Sequence, residues 1–288
     1  MGRARAHAVE HPSARLSSGS IARILPAEFG GGHELLIDET PQSHLDLEDP
    51  THLHFEYVAR MGALIDELGE PGAALTVVHL GAGGMTLPRY IATTRPGSRQ
   101  QVIELEAPLV ELVRAHLPLP RGASVRVRTG DAREGLGRLP AAMTGRVGLV
   151  IADVYSGAQT PAHLTSVEFY REIAALLAPD GVLLVNVADG PGLAFARRQV
   201  ATVRAVLPEV VILADAQILK GRRFGNLVLA AAATPLRADA LPRVLAAGPH
   251  PAKVAQGAEV AAFARDAAIV TDATAVASPR PDAGVFLR

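Results

Sequence analysis

The run Val77-Val78-His79-Leu80, ending in Gly81-Ala82-Gly83-Gly84, constrains the fold more than any other feature of this chain. Glycines at the end of an apolar, β-branched run allow positive φ and let the backbone come close to a ligand. The residues that follow, Thr86-Leu87-Pro88-Arg89-Tyr90-Ile91-Ala92, can open a helix, with Pro88 in its first turn. A strand apolar on both faces that passes through glycines into a helix belongs to a buried parallel sheet.

The pattern repeats along the chain. Strand-like apolar runs occupy 75–80, 101–105, 125–128, 147–152, 182–187, 210–214 and 227–231. Helix-like segments at 87–94, 108–116, 133–139, 167–177 and 193–206 alternate with the first six of them. Such alternation predicts an α/β fold, a parallel sheet with helices on both faces. Only residues 217–226 join the last two runs, so an antiparallel hairpin at one edge is expected. Five strand–helix units and a terminal hairpin resemble the Rossmann-like, seven-stranded class I methyltransferase sheet. Upstream, Phe55, Val58, Met61, Leu64 and Ile65 recur at helical spacing and predict a helix over 53–68. Two short apolar runs, 21–25 and 34–38, flank Gly30-Gly31-Gly32 and predict a small β-rich segment. The expected organisation is a disordered tail over 1–19, the β-rich segment over 20–52, a Rossmann-like catalytic domain over 53–235 and a C-terminal extension over 236–288.

Charge and cysteine content narrow the function. With 28 basic against 29 acidic residues there is no basic field to recruit nucleic acid or an anionic membrane, and a small-molecule ligand is expected. The chain has no cysteine, which excludes disulfides, a thiol nucleophile and thiolate metal ligation, and fits a cytoplasmic protein. Residues 1–19 lack the apolar core of a signal peptide, and no apolar stretch approaches the length of a membrane span. The histidines are scattered; only His52 and His54 are close, and alternate positions on a helix would point them apart, so no metal site is expected. The glycine turn has no lysine before a hydroxyl residue, which excludes a phosphate loop, and Thr86 stands where a dinucleotide fold needs its third glycine.

Three acids recur at strand ends, where ligands bind in doubly wound sheets. Glu104 closes the second run and can accept hydrogen bonds from two ribose hydroxyls; otherwise it is a solvated neighbour of Glu106. Asp131, in Gly130-Asp131-Ala132, can take a hydrogen bond from an adenine amine or cap the helix that follows. Asp153 ends an apolar strand and must emerge at the sheet edge or be expensively buried, which favours a catalytic or substrate-binding role over capping a turn. Tyr155 either assists it by hydrogen bonding or packs beside it.

From Asp153 through Tyr155-Ser156, Pro161-Ala162, Leu164 and Glu168-Phe169-Tyr170, the chain resembles the spermidine synthase segment in which a catalytic aspartate opens an acidic loop. The glycine turn, Ile103-Glu104 and Gly130-Asp131-Ala132 stand in that family's order at similar spacing, so the resemblance covers about residues 53–232. More loosely, Pro41-Gln42-Ser43 resembles the family's small β domain, and Phe55-Glu56-Tyr57 its Tyr-His-Glu helix. The resemblance implies a polyamine aminopropyltransferase. Such an enzyme moves an aminopropyl group from decarboxylated S-adenosylmethionine to an amine such as putrescine, releases methylthioadenosine, needs no metal and forms a homodimer. It assigns catalysis to Asp153 and Tyr155, and cofactor binding to Gly81, Ala82, Gly83, Gly84, Glu104, Asp131 and Ala132. Gln42, Glu56, Ser156 and Asp189 are the expected substrate contacts. Two departures stand out: the family's glycine turn carries an aspartate where this chain has Gly84, and its loop carries a second aspartate where this chain has Ser156. Asp189 either replaces one of these or is a turn residue before Pro191. A methyltransferase using intact S-adenosylmethionine would share the same adenosine contacts, and a non-catalytic nucleoside-binding member remains the third reading.

Overall fold

A computed structural model describes residues 11–28, 31–236, 239–247 and 250–281; positions 1–10 of the expected tail and the last seven of the expected extension lie outside them. Four strands, β1 (Ser13–Arg15), β2 (Ile21–Pro26), β3 (His33–Ile37) and β4 (Thr40–Leu45), form an antiparallel sheet in sequence order. Helix α1 (Glu56–Asp66) follows, and then the chain alternates. Strand β5 (Thr76–Leu80) leads to α2 (Thr86–Thr94), β6 (Arg99–Glu104) to α3 (Ala107–His116), and β7 (Ser124–Thr129) to α4 (Ala132–Gly137). Strand β8 (Val147–Ala152) precedes α5 (Val167–Leu176), and β9 (Leu177–Asp189) precedes α6 (Ala194–Arg204). Then come β10 (Glu209–Ala214), the short α7 (Ala216–Leu219), β11 (Gly225–Ala232), α8 (Leu241–Ala247), β12 (Lys253–Gln256) and α9 (Ala258–Phe263).

The large sheet has the order β12-β10-β11-β9-β8-β5-β6-β7. Strand β5 pairs in parallel with β6 on one side and β8 on the other, so the winding reverses at its carboxyl end. Alternation along the strands feeds two cores. Val78, Leu80 and Val150 meet α4, α5 and α6 on one face, whereas Val77, Leu149 and Ile151 meet α1, α2 and α8 on the other. Both faces are covered, which is why the strands read as continuous apolar runs. The N-terminal sheet packs Ala22, Ile24, Leu35 and Leu45 against Met85 and α3.

The structure departs from the sequence expectation at the edges. Strand β11 pairs with β10 as expected, but it also pairs with β9, and β12 covers β10, so the hairpin is not at the sheet edge. The sheet therefore has eight strands, the eighth supplied by the expected extension. Ser13–Arg15, expected within the tail, pairs with β2. Both added strands are three or four residues long, too short for alternation to register.

Two buried polar residues hold the central strand and its turn. Arg89 is fully buried, and its guanidinium donates to the carbonyls of Gly84 (3.3 Å), Leu117 and Pro118, tying the glycine turn to the end of α3. His79, on β5, shares a 2.8 Å hydrogen bond with Gln100, and burial lowers its pKa to about 4. An unfolded histidine titrates near the ordinary 6.5, so between these values protons bind the unfolded chain preferentially and stability falls with pH. The expected loss is about 2 kcal/mol between pH 7 and pH 5. Denaturant titrations of the wild type and His79→Gln at both pH values check this, and the variant is expected to lose that part of the slope.

Candidate active site

A cleft of about 670 Å³ lies over the carboxyl ends of β5, β6 and β8, walled on its far side by Gln42, Ser43 and His44 of β4. Its floor is the glycine turn. Gly81 has φ of +88°, its N–H donates to the Ile103 carbonyl at 2.9 Å, and a Cβ there would stand 2.3 Å from the Asp153 carbonyl oxygen. Only glycine fits both constraints. The turn is stitched to the N-terminal sheet. Gly84 N–H donates to Ser43 Oγ at 2.9 Å, and the Thr86 hydroxyl donates to the His44 carbonyl at 3.0 Å. A Cβ on Gly84 would lie 2.7 Å from Leu45 Cδ2 and 3.0 Å from Ser43 Cβ. The close approach of β4 therefore fills the place where the related pattern carries an aspartate.

Glu104 is buried at the end of β6. It accepts from the Ala82 N–H (2.8 Å) through one carboxylate oxygen and from the Glu106 N–H (3.0 Å) through the other. Burial raises its pKa and these donors oppose the rise. Each oxygen keeps a lone pair for a ligand hydroxyl. Asp131 lines the same cleft with Ala132. One of its oxygens caps α4 by accepting from Arg133 N–H (2.9 Å) and Glu134 N–H (3.1 Å), and the other meets His163 Nε2 at 2.7 Å. Its capping role is thus realised, and its pKa is lowered by the donors despite partial burial.

Asp153 follows β8, anchored by its N–H to the Leu80 carbonyl at 3.1 Å. Its Oδ1 accepts from Asn186 Nδ2 at 2.9 Å, and the Tyr57 hydroxyl from α1 faces it. Burial raises the carboxyl pKa, with Asn186 and Tyr57 opposing. Burial likewise pushes Tyr57 and Tyr155 well above the usual phenol range, with Asp153 adding to both, so their hydroxyls stay protonated at neutral pH. The Tyr155 hydroxyl lies against the Ala188 backbone and Thr160, and Asn186 Oδ1 is buried without a hydrogen-bond partner among the described residues. A half-buried carboxylate with a raised pKa, beside two neutral phenols, can orient a cationic amine and accept its proton.

Gln42 and Ser156 line the cleft as expected. Glu56 does not: it is exposed and pairs with Arg60 at 2.9 Å, because α1 turns Tyr57, one residue on, towards Asp153. Asp189 is also displaced from the expected role. Its carboxylate accepts from Gly190 N–H and Ala196 N–H, both at 2.8 Å, and so caps α6, whose own N-cap Leu193 has no acceptor side chain. Tyr57 and Asn186 were not singled out from the sequence. The available signal for Asn186 was a lone amide inside the apolar run of β9.

His52 and His54 precede α1 rather than riding on it, so their rings converge instead of diverging. The ring centroids of His44 and His54 lie 4.4 Å apart and those of His52 and His54 6.2 Å apart. Burial, followed by His44 and His52, lowers the His54 pKa. Among the described residues no group of three or more metal-ligating side chains is arranged to hold an ion, and no helix is long and apolar enough to cross a membrane.

A reversed parallel winding at β5, with an antiparallel sheet laid over its glycine turn, defines a Rossmann-like α/β protein of the class I methyltransferase fold. No family model matches the chain. A solved structure described as a probable spermidine synthase from Corynebacterium glutamicum is 31% identical, covers 92% of this chain and 97% of its own, and superposes with a TM-score of 0.81. The chain belongs to the spermidine synthase family, the polyamine aminopropyltransferases. The curated polyamine aminopropyltransferase of Vibrio vulnificus is 29% identical over 38% of this chain, and that of Neisseria meningitidis serogroup A 25% identical over 61%. These alignments span 36% and 66% of the relatives' own lengths, less than two thirds. A spermidine synthase solved in complex with the transition state analogue AdoDATO shares the fold, with a TM-score of 0.57 at 14% identity over 87% of this chain and 82% of that one.

Proposed function

We propose that the protein transfers an aminopropyl group from decarboxylated S-adenosylmethionine to a small-molecule amine and releases methylthioadenosine. The observation that carries this reading is the Asp153 carboxylate, half-buried beside Tyr57, Tyr155 and Asn186 in the cleft that also holds the glycine turn and Glu104. Family membership supports the same reaction, and the AdoDATO complex of a related fold supports an adenosyl ligand. The residues fit such a ligand: the Gly81 to Gly84 turn gives backbone access, Glu104 offers acceptors to ribose hydroxyls, and Asp131 with Ala132 borders the adenine end.

The adenosyl sulfonium supplies an electrophilic methylene. Asp153 takes a proton from the acceptor ammonium, freeing the nitrogen lone pair, with Tyr57 and Tyr155 holding the nitrogen in line. The new C–N bond forms as the C–S bond breaks, its electron pair passing to sulfur, and the proton leaves through Asp153 to water. Gln42 and Ser156 border the acceptor. Our reading includes a homodimer, as the family resemblance implies, and a cytoplasmic location, with which a chain free of cysteine is compatible.

Thermal-shift titration ranks the donors, because a ligand that binds only the native state raises the melting temperature. Decarboxylated S-adenosylmethionine and methylthioadenosine are expected to stabilise the protein more than intact S-adenosylmethionine. A clear preference for the intact donor overturns aminopropyl transfer.

A further inference from the structure

His163 takes no part in the transfer chemistry proposed above, yet it lines the same cleft as Asp131, and its Nε2 lies 2.7 Å from Asp131 Oδ2. Despite partial burial, the donors around Asp131 lower its pKa, so the carboxylate is ionised at neutral pH and the Nε2–H donates to it. The imidazole is about half-exposed and the carboxylate less so.

The contact is held from both ends. His163 sits in a 3₁₀ turn (Ala162–Leu164) that the Leu164 N–H closes by donating to the Pro161 carbonyl at 3.1 Å. Leu164 is buried in the core, and Thr165, fully buried, donates its hydroxyl to the Ala162 carbonyl at 2.7 Å. Arg133, two residues after Asp131, donates to the His163 carbonyl at 3.2 Å. Its guanidinium is itself gripped by both oxygens of Asp272 (2.7 and 3.0 Å) and by Glu172 (2.9 Å). The turn that carries the imidazole and the helix end that carries the carboxylate are therefore tied to each other by more than the contact itself.

The acceptors of Asp131 can be counted. Oδ1 takes the N–H groups of Arg133 (2.9 Å) and Glu134 (3.1 Å) and is filled, whereas Oδ2 takes the His163 N–H and keeps one lone pair. Pinned at both oxygens, the carboxylate cannot turn to offer another. We infer that His163 is a positioning residue for the nucleobase, holding Asp131 so that its one remaining lone pair accepts a hydrogen from the exocyclic amine of a 6-aminopurine, and so selects against a 6-oxopurine. A 6-oxo group brings an acceptor where the site needs a donor, and the carboxylate is left without its partner. The inference rests on the adenosyl reading of the cleft and names the side chain that makes its base selection rigid.

Calorimetry with methylthioadenosine and methylthioinosine, which differ in the 6-amino against the 6-oxo edge of the base, tests it. The wild type is expected to bind the 6-amino probe about tenfold or more tighter, as a hydrogen bond to a charged group allows. In His163→Ala that ratio is expected to fall about threefold or more, through weaker binding of the 6-amino probe, with the melting temperature unchanged because a half-exposed pair adds little stability. His163→Gln, whose amide can place an N–H where Nε2 stands, keeps most of the ratio. A general loosening of the cleft weakens both probes alike and leaves the ratio untouched, so an unchanged ratio in His163→Ala overturns the inference while the adenosyl reading stands. Equal affinity of the wild type for the two probes overturns it as well. So does tighter binding of methylthioadenosine by His163→Ala, because the imidazole then occupies the place of the amine instead of supporting its acceptor. If the wild type binds neither probe, the adenosyl reading itself fails and the inference falls with it.

Discussion

Asp153→Asn is expected to lower turnover by about 10² to 10⁴-fold, the range that a positioned proton acceptor supplies, while leaving the folded protein as stable or more so. The sign of the stability effect follows from the carboxyl pKa, which burial raises in the folded state. The native state then binds the proton more tightly than the unfolded chain does, so the ionised form present at neutral pH is destabilising, and the penalty is relieved as pH falls through the raised pKa. Asparagine removes the charge, keeps the shape and retains an oxygen to accept from Asn186. Turnover measured by methylthioadenosine release and melting temperature at pH 7 together decide the matter. Retained turnover removes Asp153 from the chemistry, and a fall of many degrees in melting temperature makes it a structural residue instead.

Gly81→Ala is the second large effect. The backbone there holds φ at +88°, and the added methyl would sit 2.3 Å from the Asp153 carbonyl oxygen, backbone rather than a movable side chain. Relief requires the ends of β5 and β8 to part, which shifts the glycine turn and Asp153 together. The expected destabilisation is about 3 kcal/mol or more, with loss of adenosyl-ligand binding. Gly122→Ala is the control, because Gly122 has a similar φ of +81° and open space around it. It should lose only about 1 kcal/mol, from backbone strain alone. Equal effects at the two positions in denaturant titrations would show that the close approach to Asp153 is not what demands glycine at 81.

The sheet was legible where strands are buried on both faces, since β5, β8 and β9 leave predominantly apolar runs bounded by glycines and acids. Strand β12 was not, because Lys253–Gln256 is four residues long and only Ala255 of it is buried. In the site, Gly81, Glu104, Asp131 and Asp153 could be read because each stands at a strand end, a position that topology alone brings to the cleft. The same logic misplaced Asp189: β9 also ends there, but a helix lacking its own cap takes up the carboxylate. Glu56 was displaced by one residue, and on a helix one residue is about 100° of rotation. Tyr57, read only as part of Phe55-Glu56-Tyr57, and Asn186 come from distant parts of the chain and meet at Asp153 only through tertiary packing. Gly84 looked in the sequence like a simple loss of charge, whereas in the folded chain β4 closes over it.

Mass spectrometry of the products tests aminopropyl transfer most directly. The purified protein is incubated with decarboxylated S-adenosylmethionine and with intact S-adenosylmethionine, each in the presence of 1,4-diaminobutane. Methylthioadenosine is expected to appear with the decarboxylated donor alone, matched by an acceptor heavier by one aminopropyl group, and both should vanish in Asp153→Asn. Formation of S-adenosylhomocysteine and a methylated acceptor from the intact donor would contradict the account, as would failure to consume either donor.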